Sequence, residues 1–188
     1  MTDKSMEFLI YLHAWFKTMK ALRLTILFLF LTGILRGQQS DFDLAKIKFR
    51  GVDFISTKEK VIKSFGLPKR VDTNYECGGF SNDQPGGPFY QFVYTGFNYI
   101  GSDSVDFFLE NVSFDLKGQI RMKYGENELS GQTSKEDFIN IFFGKVRRPF
   151  EELLNEDSIL LYSINSDDGA IFTFRNGRLL KFEYWTPC

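Results

Sequence analysis

Two pairs of adjacent carboxylates are the residues of this sequence that could do acid–base chemistry. Glu151 stands beside Glu152, and Asp167 stands beside Asp168. Two carboxylates can divide the work of general acid and general base, as they do in glycosidases. Sequence neighbours do not face one another on a helix, however, and Asp before Gly169 is typical of a turn. A histidine-free hydrolase that uses these carboxylates is therefore kept only as an alternative function.

The single histidine of the chain, His13, lies close to the N terminus. Ser-His-Asp and Cys-His catalysis need a histidine base, and most zinc sites need a histidine ligand. Removal of an N-terminal signal would leave a chain without histidine and with two cysteines, too few for an all-cysteine zinc site. We therefore expect no enzymatic activity, no metal and no cofactor.

The first 37 residues have the pattern of a secretory signal. Lys20 and Arg23 precede the uncharged run Leu24–Leu35, which is shorter than the roughly 20 residues of a membrane span. Gly37 suits the position before cleavage, and Met19 is the expected true start. We predict a periplasmic or secreted protein with no stable membrane anchor after cleavage. A long, uncleaved N-terminal anchor is the alternative.

The remaining chain, Gln38–Cys188, would have 151 residues with 18 basic and 22 acidic side chains, a net charge of −4. Nucleic acid and anionic membranes attract dense clusters of Lys and Arg, and the sequence shows no such cluster. The charge balance therefore argues against nucleic acid and anionic lipid as partners, and an unidentified protein is the expected partner.

Cys77 and Cys188 both follow the expected cleavage point. Disulfides persist in oxidising compartments. A bridge between these two residues would close a loop of over a hundred residues, which is worth about 4 to 5 kcal/mol in the chain-entropy model. We predict a Cys77–Cys188 disulfide, with free thiols or an intermolecular bridge through Cys188 as alternatives.

A repeated phrase organises the rest of the chain. The sequence "STKEKVIKSFG" at Ser56–Gly66 returns as "TSKEDFINIFFG" at Thr133–Gly144. In each copy a hydroxyl residue can cap a helix, acidic residues follow in the first turn, and a glycine ends it. We predict an α+β fold of two tandem units, residues 38–128 and 129–188, each a helix plus an antiparallel sheet of about four strands.

Alternating apolar runs after each helix indicate the strands of these sheets. The last runs are joined at Lys117-Gly118, Asp168-Gly169 and Asn176-Gly177. Asp-Gly and Asn-Gly between alternating runs are strong hairpin signals. One face of such a sheet is covered by the helix and the other is left open.

Aromatic and basic residues on the open faces are the candidate contacts with a partner. Alternation in "RLLKFEYW" places Trp185 and Lys181 on the polar face, with Arg175 nearby in the meander, and Tyr94 and Tyr99 lie on one long predicted strand. Tyr, Trp and Arg are the residues that most often anchor protein interfaces. We predict that these five residues contact a protein partner; Trp185 could instead cover its own sheet.

The first copy consists of the helical phrase, its ending "FGLPKRV" and the closing "FDLKGQI". In these segments it resembles the helix-plus-sheet unit of the small envelope lipoproteins of the SmpA/OmlA type. Two units in tandem are similar to the β-lactamase inhibitor protein family, over about Ile55 to Trp185. This resemblance implies a tandem helix/sheet fold that binds proteins through its sheets. The expected function is thus a non-enzymatic binding module, of inhibitor or immunity type. A structural role in an envelope assembly is the alternative.

Overall fold

The computed structural model describes residues 42–73, 75, 78–81, 84–143, 157–164 and 166–187. These residues all fall within one compact unit. Several predicted features lie outside the described residues: the signal region 1–37 with Met19, the pair Glu151 and Glu152, and the two cysteines, Cys77 and Cys188. No helix in the described part combines the length and apolar character that a membrane crossing requires.

Two α-helices and twelve β-strands lie in the described part of the chain. The helices are α1 (Lys58–Phe65) and α2 (Lys135–Phe143). The strands are β1 (Ile47–Phe49), β2 (Val52–Asp53), β3 (Ile55–Ser56), β4 (Arg70–Asp72), β5 (Tyr90–Val93), β6 (Phe97–Gly101), β7 (Phe107–Ser113), β8 (Arg121–Tyr124), β9 (Asn127–Ser130), β10 (Ser158–Tyr162), β11 (Gly169–Arg175) and β12 (Arg178–Trp185).

Both helices begin at the hydroxyl caps that the repeated phrase predicts. The Thr57 hydroxyl accepts a hydrogen bond from the backbone N–H of Lys60 at 3.3 Å, and Gly66, at φ +79°, ends α1. At the second helix the Ser134 hydroxyl accepts from the backbone N–H of Asp137 at 3.0 Å. Each cap satisfies an N–H that has no partner inside its helix. The two predicted helices are confirmed.

A large antiparallel sheet runs in the order β10-β11-β12-β7-β6-β5-β4. Its eighth strand, β3, pairs with β7 beside β12: Glu183 lies opposite Asn111, and Ile55 lies opposite Phe108. The same edge of β7 thus holds a strand from the end of the chain and one from its beginning. Strands from both sides of α2 form one continuous sheet.

A smaller antiparallel sheet has the order β2-β1-β8-β9. Arg50 and Gly51 turn the chain between β1 and β2, both at positive φ. Gly125 and Glu126 make the equivalent turn between β8 and β9. The central pair, β1 and β8, joins segments that are far apart in the chain.

The core is a phenylalanine-rich layer between the large sheet and the elements that cover one of its faces. Phe97 of β6 lies 4.9 Å from Phe49 of the small sheet and 4.8 Å from Phe65 of α1, measured between ring centroids. Phe138 of α2 lies 4.7 Å from Phe172 of β11. The small sheet and both helices therefore pack on the same face of the large sheet.

The predicted fold of two tandem helix-plus-sheet units is wrong. Strands β7 and β12, one from each predicted unit, are hydrogen-bonded neighbours, and the small sheet has no place in the predicted units. The predicted boundary after residue 128 falls inside Asn127–Ser130, which is β9. The two helices cover parts of one continuous sheet rather than a sheet each.

The predicted hairpin at Lys117-Gly118 is also wrong, because β7 and β8 belong to different sheets. The Asp115 carboxylate accepts hydrogen bonds from the backbone N–H groups of Gln119 at 3.2 Å and Ile120 at 2.6 Å. These bonds also lower the pKa of Asp115, because they favour its charged form. The local turn thus directs the chain out of one sheet and into the other.

Candidate binding face

The open face of the large sheet is the side turned away from the helices, and its aromatic part lies on β10, β11 and β12. The register places Gly169 between Tyr162 on one side and Trp185 on the other. Because Gly169 has no side chain, the two rings meet across it, with centroids 5.5 Å apart and planes at 89°. Such edge-to-face geometry is a preferred arrangement of aromatic pairs.

Apolar side chains extend this aromatic pair along the outermost strand of the sheet. Leu160 and Tyr162 of β10 are 37% and 53% exposed, and Ile164, just beyond it, is 40% exposed. Alternate residues of β10, Ile159 and Leu161, are buried in the core. The period of two therefore sets Leu160 and Tyr162 on the open face.

A charged pair lies beside the aromatic pair. Lys181 Nζ lies 2.7 Å from Glu183 Oε1, and both residues share a face of β12 with Trp185. Further along the sheet, the Glu110 carboxylate accepts hydrogen bonds from Tyr75 at 2.9 Å and Gln91 at 2.5 Å. The open face is thus aromatic at the β10 end, whereas over β6 and β7 it is covered by Phe80 and Phe89, which pack on the buried Ile100.

Trp185 and Lys181 lie on one face of β12, as alternation predicts. Arg175 lies far from Trp185. Arg175 pairs with Arg178 at the hairpin end, whereas Trp185 pairs with Gly169 at the other end of β11. Six residues of a strand span about 20 Å. Arg175 is exposed but belongs to a different part of this face.

Tyr94 and Tyr99 do not lie on the open face. Tyr99 is fully buried and Tyr94 is 8% exposed, so neither can be a surface contact. The predicted single strand is a hairpin that turns at Thr95 and Gly96, and this turn brings both tyrosines to the core face. Burial raises the pKa of both hydroxyls. Tyr94 donates to the Gly66 carbonyl at 3.1 Å.

Sequence reasoning missed Tyr162, Leu160 and Ile164. The run "SILLYSI" has hydrophobic residues at consecutive positions, and therefore on both faces of the strand. Its polarity pattern alone does not tell which face is open. Only the position of β10 at the end of the sheet, and the packing of Ile159 and Leu161 in the core, show which residues remain accessible.

The remaining carboxylate pair lies in a loop. Asp167 is exposed, and the backbone N–H of Asp168 donates to the Ser166 hydroxyl at 3.1 Å. Within the described ranges, no three His, Cys, Asp or Glu side chains come close enough together to hold a metal ion.

No family model, curated protein or solved structure matches this chain. The resemblance to the β-lactamase inhibitor protein family therefore gains no support from these comparisons. The function is inferred from the open face itself.

Proposed function

We propose that this chain is an exported, non-enzymatic module that binds another protein through the aromatic end of its open face. The observation that carries the proposal is the edge-to-face pair of Tyr162 and Trp185, which lies on the surface rather than in the core. The N-terminal pattern of a secretory signal supports the exported location.

The composition of this part of the face supports a protein as the partner. Protein interfaces are enriched in Tyr and Trp near their centres, surrounded by a polar rim. Here Tyr162 and Trp185 have apolar Leu160 on one side and the Lys181–Glu183 ion pair on the other. A small apolar ligand would need an enclosed cavity, whereas this region is a sheet surface.

The position of β10 adds a second means of binding. As the last strand in the order of the large sheet, β10 has only one strand partner, β11, among the described residues. Its sequence, "SILLY", has no charge and no proline to discourage pairing with another strand. A partner could therefore contact the aromatic pair and the edge of β10 together.

Affinity capture tests the proposal. The exported chain would be used as bait for envelope and culture-fluid fractions of the producing organism and of its neighbours. One protein recovered at near-equal stoichiometry by the wild type, and lost with Trp185→Ala, is the expected result. Leu116→Ala is the matched control, because Leu116 is 74% exposed in a turn outside the open face. Equal recovery by all three chains, or by none, would contradict the proposal.

The same fractions separate an inhibitor or immunity-type role from a structural one. A soluble partner whose activity falls on binding supports inhibition. Recovery only with membrane-bound assemblies would support the structural alternative. In either case the dependence on Trp185 decides whether the open face is the binding surface.

A further inference from the structure

The outer face of the small sheet places two lysines directly opposite each other. Lys48 of β1 pairs in register with Lys123 of β8. Directly opposed residues of an antiparallel pair have Cβ atoms about 4.5 to 5.5 Å apart, and like charges at such positions are destabilising. The two lysines lie side by side at the centre of this sheet, and on the outer side of each a carboxylate is in register, Asp53 beside Lys48 and Glu128 beside Lys123.

Two arginines form a second row beside the lysines. Phe49 and Met122 are an in-register pair and are fully buried, so Arg121, which precedes Met122 on β8, faces outward. Arg50 follows Phe49 in the turn that ends β1. The four cations surround a concavity of about 250 Å³. Its lining consists of Lys48, Arg50, Gly51, Gln119, Arg121, Lys123 and Glu128.

The acidic residues of this face are on its outer strands and are already paired. Asp53 of β2 lies 2.9 Å from Lys48 and 2.5 Å from Lys60. Glu128 of β9 lies 2.8 Å from Arg121. The two carboxylates thus form ion pairs with three cations, Lys48, Lys60 and Arg121.

Lys123 and Arg50 are the cations that remain. Lys123 is exposed and has no ion pair within the described residues. The Arg50 guanidinium lies over the rings of Phe49 and Phe97, 5.3 and 5.8 Å from their centroids. Among the described residues it forms no ion pair. Both can donate hydrogen bonds into the concavity.

We propose that this concavity binds a multiply charged oxyanion of the phosphate or sulfate class. Lys123 and Arg50 provide the principal donors, and Lys48 and Arg121 complete the positive rim. The Arg fork matches the geometry of phosphate oxygens. No atom lies within 4 Å of where a Cβ of Gly51 would be, so the turn leaves the space open.

The size and charge of the concavity indicate the ligand class. Its volume lies below the roughly 300 to 1,000 Å³ that is usual for sites that bind drug-sized molecules. A concavity of this size suits one charged group and the carbon atom attached to it. Four cations and one carboxylate line it, on a chain whose net charge is −1. A bound dianion would also relieve the opposition of Lys48 and Lys123.

The sequence contains no basic cluster because these cations come from β1 and β8, which meet only in the fold. The site lies on the small sheet, whose other face packs on the core face of the large sheet, so it is separate from the open face. It can therefore be present or absent independently of the proposed protein binding.

Isothermal titration of the full chain with inorganic pyrophosphate, at constant ionic strength, tests the site. We expect saturable binding that weakens at least tenfold in Lys123→Gln and in Arg50→Asn. Asparagine suits the positive φ of residue 50. Lys117→Gln removes the same charge from an exposed turn and should bind as the wild type does. No saturable binding, or equal weakening in Lys117→Gln, would overturn the proposal.

Thermal unfolding provides a second readout that does not depend on affinity alone. Pyrophosphate should raise the Tm of the wild type and of Lys117→Gln but not that of Lys123→Gln. Without the anion, Lys123→Gln should have nearly the Tm of the wild type, because it removes both the repulsion from Lys48 and the attraction to Glu128. A large loss of stability in Lys123→Gln alone would show that the lysine is structural and would contradict the site.

Vesicles distinguish a free anion from a lipid headgroup as the source of the phosphate. The full chain would be sedimented with phosphatidylcholine vesicles with and without phosphatidylglycerol. Retention on the anionic vesicles that is lost in Lys123→Gln, together with pyrophosphate binding, supports a headgroup. Binding of pyrophosphate without such retention supports a soluble ligand. Absence of both contradicts the proposal.

Discussion

The backbone carbonyl of Asp115 lies directly against Gly131, so that a Cβ at residue 131 would be 2.1 Å from the carbonyl oxygen. Here the chain leaving β7 meets the chain leaving β9, and the same carbonyl accepts a hydrogen bond from the N–H of Gly118. The connection from the large sheet to the small one therefore depends on a residue without a side chain.

Gly131→Ala should destabilise the protein, because a clash with backbone cannot be relieved by rotating a side chain. Overpacking of this kind typically costs about 1 to 3 kcal/mol in the free energy of unfolding. Urea denaturation followed by circular dichroism measures the change. Gly79→Ala is the control, since its added Cβ would meet only Thr186 Oγ1, at an ordinary 3.8 Å. Equal stability of the two variants would count against this account of the connection.

Asp53 should make stability depend on pH. Hydrogen bonds from Lys60 and Lys48 lower the pKa of Asp53 from 3.8 to about 2. Its contribution is therefore complete above the unfolded pKa, near 4, and is lost as the pH falls through about 2. Because the carboxylate is 39% exposed, we expect Asp53→Asn to cost only about 0.2 to 1 kcal/mol at pH 7.

Denaturation of wild type and Asp53→Asn across this range checks the prediction. The stability difference should shrink as the pH is lowered from 5 to 2. Asp106→Asn is the control, because Asp106 is exposed and forms no ion pair among the described residues. A difference that does not change with pH would mean that the effect is not electrostatic.

Phe172 should be among the residues to which the core is most sensitive. It is fully buried and lies 4.7 Å from Phe138 and 5.5 Å from Phe182, between ring centroids. Loss of a buried phenylalanine ring costs about 3 to 5 kcal/mol. Phe172→Ala should therefore lower the midpoint of denaturation strongly, whereas the exposed Leu116→Ala should not. Similar midpoints for the two variants would refute the packing described for α2.

The disulfide remains a prediction, because Cys77 and Cys188 lie outside the described residues. Its support is that Gly79 and Thr186, each two residues from a cysteine, are near neighbours. Intact mass before and after reduction should show a monomer that gains two hydrogens, and alkylation should require reduction. Alkylation of both thiols without reduction would contradict the bridge, and a dimer mass would show an intermolecular one.

Local signals in the sequence were sufficient for the helices and for two hairpins. The cap at Thr57 and the hydroxyl at Ser134 mark where α1 and α2 begin. The turn at Asn176-Gly177 joins β11 and β12 as predicted. The hairpin of β10 and β11 also forms, but Gly169 of the predicted Asp168-Gly169 turn is already in β11, opposite Tyr162. Each of these features is decided by residues close together in the chain.

Features decided by distant pairing, and by local irregularities that the sequence does not mark, could not be predicted. Strand β1, which pairs with β8, comes before the first copy of the repeated phrase. An interpretation based on the repeat therefore gives no sign of the small sheet. A β-bulge between Thr173 and Phe174 makes Leu179, rather than Leu180, the buried residue. Lys117-Gly118 looks like a hairpin, and the Asp115 carboxylate turns it into a connection between sheets instead.

The candidate face shows the same division. Alternation correctly grouped Trp185 with Lys181, because both lie on one regular strand. It failed for Tyr94 and Tyr99, because the turn at Gly96 lies between them. The contact of Trp185 with Tyr162 requires the register of three strands, which the sequence does not specify.

The dissociation constant of the captured partner, measured for wild type, Trp185→Ala and Leu116→Ala, decides whether the partner binds through the aromatic end of the open face. Truncation of an aromatic interface anchor typically costs about 2 kcal/mol or more, which is about a 30-fold loss of affinity. We expect such a loss for Trp185→Ala and an unchanged constant for Leu116→Ala. An unchanged constant for Trp185→Ala, with the variant folded as judged by its Tm, would show that the partner binds elsewhere.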